Sequence, residues 1–308
     1  MQTNVEVIFS FLDKEAVKHS ENGEMPYLEG VLLAAEDWLD GQGPDVKTPA
    51  KEEVRKGLQL AILKGMKEHS QPHHQMTPDS LGLLLGYLVE QFTKDKEQIS
   101  LFEPAVGTGN LLFTIMNYLD GKVSTASAVE IDETLIQLTA VSADLLQQPV
   151  DLYRQDALQH LLIDPVDAVI ADLPYGYYPD DATAAGYELK AKEGMSYAHH
   201  LFIEQSIRHT KDGGYLFFLA PASIFESEQA TELYSFLKKY TWIQAVFQLP
   251  GNMFKNKALE KSILVLQKAG DRGSAPKDVL LGQVPNMSEK QPMAQFFAKV
   301  EEWIEENK

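Results

Sequence analysis

The sequence contains no cysteine. That excludes disulfides, thiolate nucleophiles, iron–sulfur clusters and cysteine-ligated zinc, and it agrees with a reducing compartment. No uninterrupted apolar run approaches the length needed to cross a bilayer. The opening segment MQTNVEVIFSFLDKEAV lacks the basic stretch and small-residue cleavage site of a secretory leader, so a cytoplasmic location away from membranes is expected. Positive charge is also scarce: 27 Lys and Arg stand against 45 Asp and Glu, a net charge of −18. Phosphate-backbone binding draws its affinity from lysine and arginine, so the composition provides no general nucleic-acid footprint. Lys238, Lys239, Lys255, Lys257 and Lys261 form a local basic set, read as a solvated face. Repeats and low-complexity tracts are absent as well. What remains is a chain of 308 residues, 44% apolar, with enough core for one large or two smaller domains.

Apolar positions at helical spacing run through 3–19 and 26–40, as in Val7, Phe11 and Leu12, then Leu28, Val31, Leu32, Ala35 and Leu39. After the GQGP break the pattern resumes over 51–68 through Val54, Leu58, Ile62 and Met66. The spacing predicts an N-terminal helical domain over 1–72, with HSQPHHQ at 69–75 as a linker whose His73 and His74 are solvated. Thr77 reads as an N-cap, with Pro78 at the first helical position and Asp79 in the first turn. From residue 98 strands and helices alternate to SILVLQK, which predicts a mainly parallel α/β sheet covered on both faces. Only GNMFKNKALEK separates the last two strands, so these could pair antiparallel. A C-terminal extension over 271–308 holds a strand and an amphipathic helix near 291–305, its buried stripe formed by Phe296, Phe297, Val300 and Ile304.

Three strand ends carry the chemistry of a ligand site. EPAVGTGNLL ends a strand and opens a helix, and Gly107 and Gly109 let the backbone approach a ligand without a β-carbon in the way. Leu112 stands where the dinucleotide fingerprint has its third glycine. Glu130 ends the next strand, where one carboxylate can accept both hydroxyl protons of an adenosine ribose. Asp156 ends the third, placed to meet an adenine amino group. In DAVIADLPYGYYP the apolar run stops at Asp172. Pro174 cannot supply a ladder donor and Gly176 permits a sharp turn, so Asp172 and Tyr175 fall at a strand's carboxyl end, where open α/β sheets bind ligands. An acceptor beside an aromatic ring suits a planar amino group. His199 and His200, in a predicted helix, read as one surface and one packing residue. The segment 176–194, with Tyr177, Tyr178 and Tyr187 in or near it, reads as a mobile lid.

On these ordered motifs the chain resembles class I S-adenosylmethionine-dependent methyltransferases, and within them the amino-methylating N6-adenine DNA methyltransferases, especially type I modification subunits. The resemblance covers residues 73 to about 268 and implies a Rossmann-like catalytic domain over 73–270, with a seven-stranded sheet whose last strand is antiparallel. It implies S-adenosylmethionine as cofactor and no metal. The implied cofactor residues are Met76 and Thr77 before the first strand, Glu103, Pro104, Ala105, Gly107, Thr108, Gly109, Asn110 and Leu111 in the glycine-rich loop, and Glu130 with Ile131. Asp156 with Ala157, and Asp172 with Pro174, complete that set. Asp172, Leu173, Pro174 and Tyr175 fall on the catalytic [DNS]PP[YFW] motif, and Tyr175 with Phe254 would pack on a flipped base. The chemistry suits these groups: drawing the lone pair out of conjugation helps a poor amine nucleophile, and a stacked ring fixes its approach.

The chain departs from that pattern twice. Leu173 replaces the motif's first proline, removing a rigid φ constraint. Only about forty residues follow the last catalytic strand, too few for an obvious recognition region. Recognition then falls to the N-terminal helices or to a partner subunit. The acceptor classes left open are DNA adenine first, then RNA bases, then a protein glutamine amide, because glutamine methyltransferases also use an NPPY-type motif. A cofactor-binding regulatory module with little catalysis is the remaining reading.

Overall fold

A computed structural model describes residues 2–20, 25–68, 76–271, 273 and 275–307. The predicted linker at 69–75, including His73 and His74, lies outside the described residues. The chain divides into two compact units: 1–86 with 106–156, and 87–105 with 157–308.

In the first unit α1 (Asn4–Ser20), α2 (Tyr27–Leu39) and α3 (Lys51–Glu68) form where helical periodicity places them. Their core is Ile8, Leu12 and Ala16 of α1, Val31 and Ala35 of α2, and Val54, Leu58 and Ile62 of α3. Val7 and Phe11 are only half-buried and Leu39, at a helix end, is exposed, so the buried stripe is rotated from the one predicted. At Gly57 a β-carbon would stand 2.3 Å from Ile8, a close approach between α1 and α3. The first half of α4 (Asp79–Phe92) follows. Pro78 precedes α4 and its carbonyl accepts from Leu81 and Gly82, so Pro78 rather than Thr77 occupies the cap position. The unit continues with α5 (Asn110–Leu119), β2 (Val123–Glu130), α6 (Glu133–Leu146) and β3 (Asp151–Arg154). β2 and β3 run parallel, with Glu130 opposite Arg154. Asp132 caps α6, accepting from the Leu135 amide at 2.9 Å. α2 packs on α6, and α3 on both α5 and α6.

The second unit holds β1 (Ile99–Glu103), β4 (Val166–Asp172), a short α7 (Asp181–Ala184), α8 (Ala198–Arg208), β5 (Thr210–Pro221), α9 (Ala230–Tyr240), β6 (Thr241–Gln248), β7 (Lys261–Lys268), β8 (Leu280–Gln283) and α10 (Lys290–Asn307). β1, β4 and β5 are parallel neighbours. β7 lies antiparallel between β5 and β6, and β8 adds a parallel strand beyond β6. Ala168 to Ala171 and Leu216 to Ala220 are buried throughout, the continuous apolar run of strands covered on both faces. On α10 the buried residues are Met293, Phe296, Val300, Trp303 and Ile304. Phe297 is only half-buried and meets the Tyr87 ring at 4.4 Å, tilted by 51°, so Trp303 takes the place in the stripe predicted for it. The strand edge is pinned at Asp167, which accepts from Lys96 at 2.7 Å, Lys211 at 2.8 Å, and both the amide and hydroxyl of Ser100. Among the described residues no helix is long and apolar enough to cross a membrane.

Burial alone would raise the Asp167 carboxyl, but Lys211, Lys96 and Ser100 together hold it well below the usual carboxylate range. A depressed carboxyl contributes stability that is present above its unfolded pKa of about 3.9 and lost as pH falls through the folded value. Asp167→Asn should therefore cost roughly 1–3 kcal/mol at pH 7 in urea unfolding, given the partly exposed lysines. The difference from wild type should shrink progressively as the pH is lowered below about 4.

Candidate active site

In the first unit, the predicted cofactor loop is built by two glycines with different tasks. Gly107 has a φ of 55° and open space where a β-carbon would stand, so a ligand can come directly against the backbone there. Gly109, at φ 76°, caps α5, and a β-carbon on it would lie 2.5 Å from the Phe113 ring. Glu130 closes the loop. Its Oε2 accepts from the Gly107 amide at 2.9 Å, while Oε1 accepts from the Ile131 and Asp132 amides at 2.9 and 3.0 Å. The Thr139 hydroxyl donates to the Gly107 carbonyl at 2.8 Å from the α6 side. Ile131 is 65% exposed. Asp156 is half-buried just past β3. An open backbone cradle beside a strand-end carboxylate fits the adenosine portion of the implied cofactor.

Arg55, absent from the sequence-derived set, ties this loop to the N-terminal helices. Its side chain is 3% exposed, and it donates to Asn110 at 2.7 Å, to both oxygens of Asp79 at 3.0 and 2.8 Å, and to both oxygens of Glu52. Asn110 in turn donates to the Thr77 carbonyl at 2.8 Å, which joins two segments of the predicted set. Desolvation opposes the guanidinium charge, but Glu52 and Asp79 more than offset it; Arg55 in turn lowers both carboxyls against their own burial. A small cavity beside it is lined by Met76, Thr108, Asn110 and Phe113 among others. An arginine inside a helix that also carries Glu52 and Lys56 looks, in sequence, like one more surface charge.

In the second unit, Glu103 ends β1 and is 1% exposed; Ala157 is buried and its carbonyl accepts from Gln205 at 2.7 Å. Asp172 closes β4, opposite Leu219 of β5. Leu173 is buried, and its amide donates to the Leu219 carbonyl at 3.0 Å. A proline at this place has no donor, so the departure from the motif extends the ladder by one bond. Pro174 is half-buried, and Tyr175 is 57% exposed. Gly176, at φ 104°, makes the turn that sequence anticipates. The Tyr175 ring stacks over His199 at 6.4 Å and 13°, His199 stacks on Tyr197 at 5.1 Å, and Tyr197 stacks on Tyr177 at 5.0 Å. Phe254 is half-buried on the loop between β6 and β7. At the far end of that loop Lys261 forms an ion pair with Asp172, with only 26% and 16% of the two side chains exposed. Sequence had assigned Lys261 to a solvated face. Among the described residues no cluster of three His, Cys, Asp or Glu side chains could hold a metal ion.

Two readings are corrected beside the site. His199 and His200 are both buried, 4% and 0% exposed, so neither is a surface residue. Desolvation pushes them down to about 4 and about 3, the latter with help from its neighbour. The segment 176–194 is fastened rather than loose: the Tyr187 hydroxyl donates to Leu158, the Glu204 carboxylate accepts from the Glu188 and Leu189 amides, and Arg208 donates to Gly186. Tyr178 and Tyr187 are buried, which leaves Tyr177 exposed.

A family model described as N-6 DNA Methylase matches residues 67–304. The protein YtxK of Bacillus subtilis (strain 168) is 42% identical, over 99% of each chain. A solved Listeria monocytogenes structure, titled a class I S-adenosylmethionine-dependent methyltransferase on a provisional basis, is 42% identical with a TM-score of 0.91, covering 98% of this chain and 99% of that one. The methyltransferase subunit of a type I restriction-modification system from Streptococcus thermophilus shares the fold at 15% identity and a TM-score of 0.68, over 97% and 69% of the two chains.

Two outcomes follow from these contacts. Arg55→Met strands two carboxylates in a half-buried cluster and should cost roughly 3–5 kcal/mol in urea unfolding, whereas Lys56→Met on the same helix should leave stability unchanged. For the histidines, the unfolded state binds protons between pH 6.5 and about 4 while the folded imidazoles stay neutral. Stability is then complete above about pH 6.5 and falls with decreasing pH. His200→Phe should flatten the decline in melting temperature between pH 7 and pH 5.

Proposed function

The chain belongs to the N-6 DNA methylase family and is a methyltransferase, and from that premise we propose that it methylates the exocyclic N6 amino group of adenine in DNA, using S-adenosylmethionine. The observation carrying the proposal is Asp172 at the end of β4 with the exposed face of Tyr175 three residues on. Bound S-adenosylmethionine would supply the methyl group, its sulfonium sulfur leaving as a neutral thioether. Met76, Thr77, Gly107, Thr108, Gly109, Asn110 and Leu111 would hold it, with Glu130 and Ile131 at the ribose and Asp156 and Ala157 at the adenine. Glu103, Pro104 and Ala105 complete the strand end that leads into this loop.

The chain's own part in transfer is orientation and proton handling. The Asp172 carboxylate accepts a hydrogen bond from the amino N–H, which draws the nitrogen lone pair out of conjugation, and then passes the surplus proton to water. The carbonyls of Leu173 and Pro174 stand in the same turn as further acceptors, and Leu173 is held by its bond to Leu219. Tyr175 stacks on the target ring, with Phe254 on the neighbouring loop as a second packing surface, and His199 behind Tyr175 keeps its plane. Recognition of a DNA sequence would fall to a partner subunit, since Arg55 commits part of α3 to the cofactor loop.

One observation favours a second acceptor. The segment 176–194 around the aromatic stack carries Asp180, Asp181, Glu188 and Glu193 against Lys190 and Lys192, and these six side chains are exposed. A surface of that sign repels a phosphate backbone and suits a protein side-chain amide. Labelled S-adenosylmethionine incubated with fractionated DNA, RNA and protein should label DNA, with the label removed by Asp172→Ala while calorimetry still detects cofactor binding. Label in protein alone would replace the adenine reading, and absence of cofactor binding would overturn both.

A further inference from the structure

We propose that Lys261 is a positioning residue for methyl transfer, holding the Asp172 carboxylate in the orientation that receives the acceptor's amino group; this rests on the amine-methylation reading above. Asp172 closes β4 opposite Leu219, and Lys261 opens β7 opposite Pro221. β5 lies between them, so two inter-strand spacings, roughly 10 Å, separate the two backbones. A flexible four-carbon stem spans that gap and brings a compact point charge to one carboxylate oxygen, Oδ1.

A strand end fixes the backbone of Asp172 but leaves the plane of its carboxylate open, because the terminal torsion of an aspartate is broad. The ammonium on Oδ1 restrains that plane. The start of β7 is itself anchored: the Lys261 carbonyl accepts from Leu249 at 3.4 Å, and the Glu260 carbonyl accepts from Ala222 at 2.8 Å. Because both side chains are mostly withdrawn from water, the pair restrains more firmly than a surface pair would. Transfer to a conjugated amine is sensitive to the acceptor's angle, so the orientation of this one carboxylate enters the rate directly.

The test compares full-length wild type with Lys261→Met, which keeps the stem's packing, and Lys261→Arg, which keeps the charge. Turnover is measured on whichever pool the wild type labels. Lys261→Met should lower kcat roughly 10- to 100-fold with cofactor affinity by calorimetry unchanged, in a protein that stays folded at the assay temperature although its melting temperature drops with the loss of the ion pair, and Lys261→Arg should recover much of the loss in kcat. Wild-type kcat in Lys261→Met, or a loss that arginine does not recover, overturns the proposal; so does a loss that disappears once turnover is referred to the folded fraction, or one that tracks cofactor affinity. If the wild type transfers no methyl group, the amine-methylation reading fails by itself. The pairing is then judged by the carbon-13 resonance of the Asp172 carboxyl carbon, which should move in Lys261→Met and stay in place in Lys261→Arg. An unmoved resonance in Lys261→Met overturns the pairing as well.

Discussion

A single buried guanidinium, that of Arg55, joins parts of the first unit that are remote in sequence. It gathers Glu52 from its own helix, Asp79 from the start of α4 and Asn110 from the first turn of α5. Asn110 then reaches the Thr77 carbonyl. Removing a charge of this kind from water is expensive unless every donor finds an acceptor, and five hydrogen bonds from Arg55 meet that demand. The glycine loop therefore rests on a fixed helix terminus. Through Arg55 the third N-terminal helix holds that terminus in place.

The second unit solves a comparable problem with different chemistry. The end of β4 is apolar from Ala168 to Ala171, then presents Asp172, whose charge Lys261 balances from two strands away. Beneath Tyr175 the support is aromatic. Neutral imidazoles suit a stack that excludes water, and burial keeps His199 and His200 neutral far below the usual histidine range. The segment 176–194 is held to this support by Glu204 and Arg208, which form an ion pair with each other.

Much of the architecture was legible in the chain because it depends on local periodicity. The three N-terminal helices, the alternation from residue 98, the antiparallel pairing of β6 with β7 and the strand in the C-terminal extension all have short-range signatures. The stripe on α10 shows where that legibility stops. Phe296, Val300 and Ile304 followed from spacing, but the choice between Phe297 and Trp303 depended on what lay opposite, namely Phe92 and Tyr87. Likewise His199 and His200 sit at adjacent positions, which on an isolated helix face different ways; only packing from several elements buries both.

The sequence by itself determined which residues stand at the ends of strands, since hydrophobic runs, turn residues and single acids are written locally. It thereby named Gly107, Gly109, Glu130, Asp172 and Tyr175 without coordinates. Tertiary structure decided how those groups are held. Arg55 meets Asn110 across 55 positions and Lys261 meets Asp172 across 89, distances over which no periodicity operates. A charged residue reads the same in sequence whether it faces water or a buried partner, and only the folded chain supplies the partner.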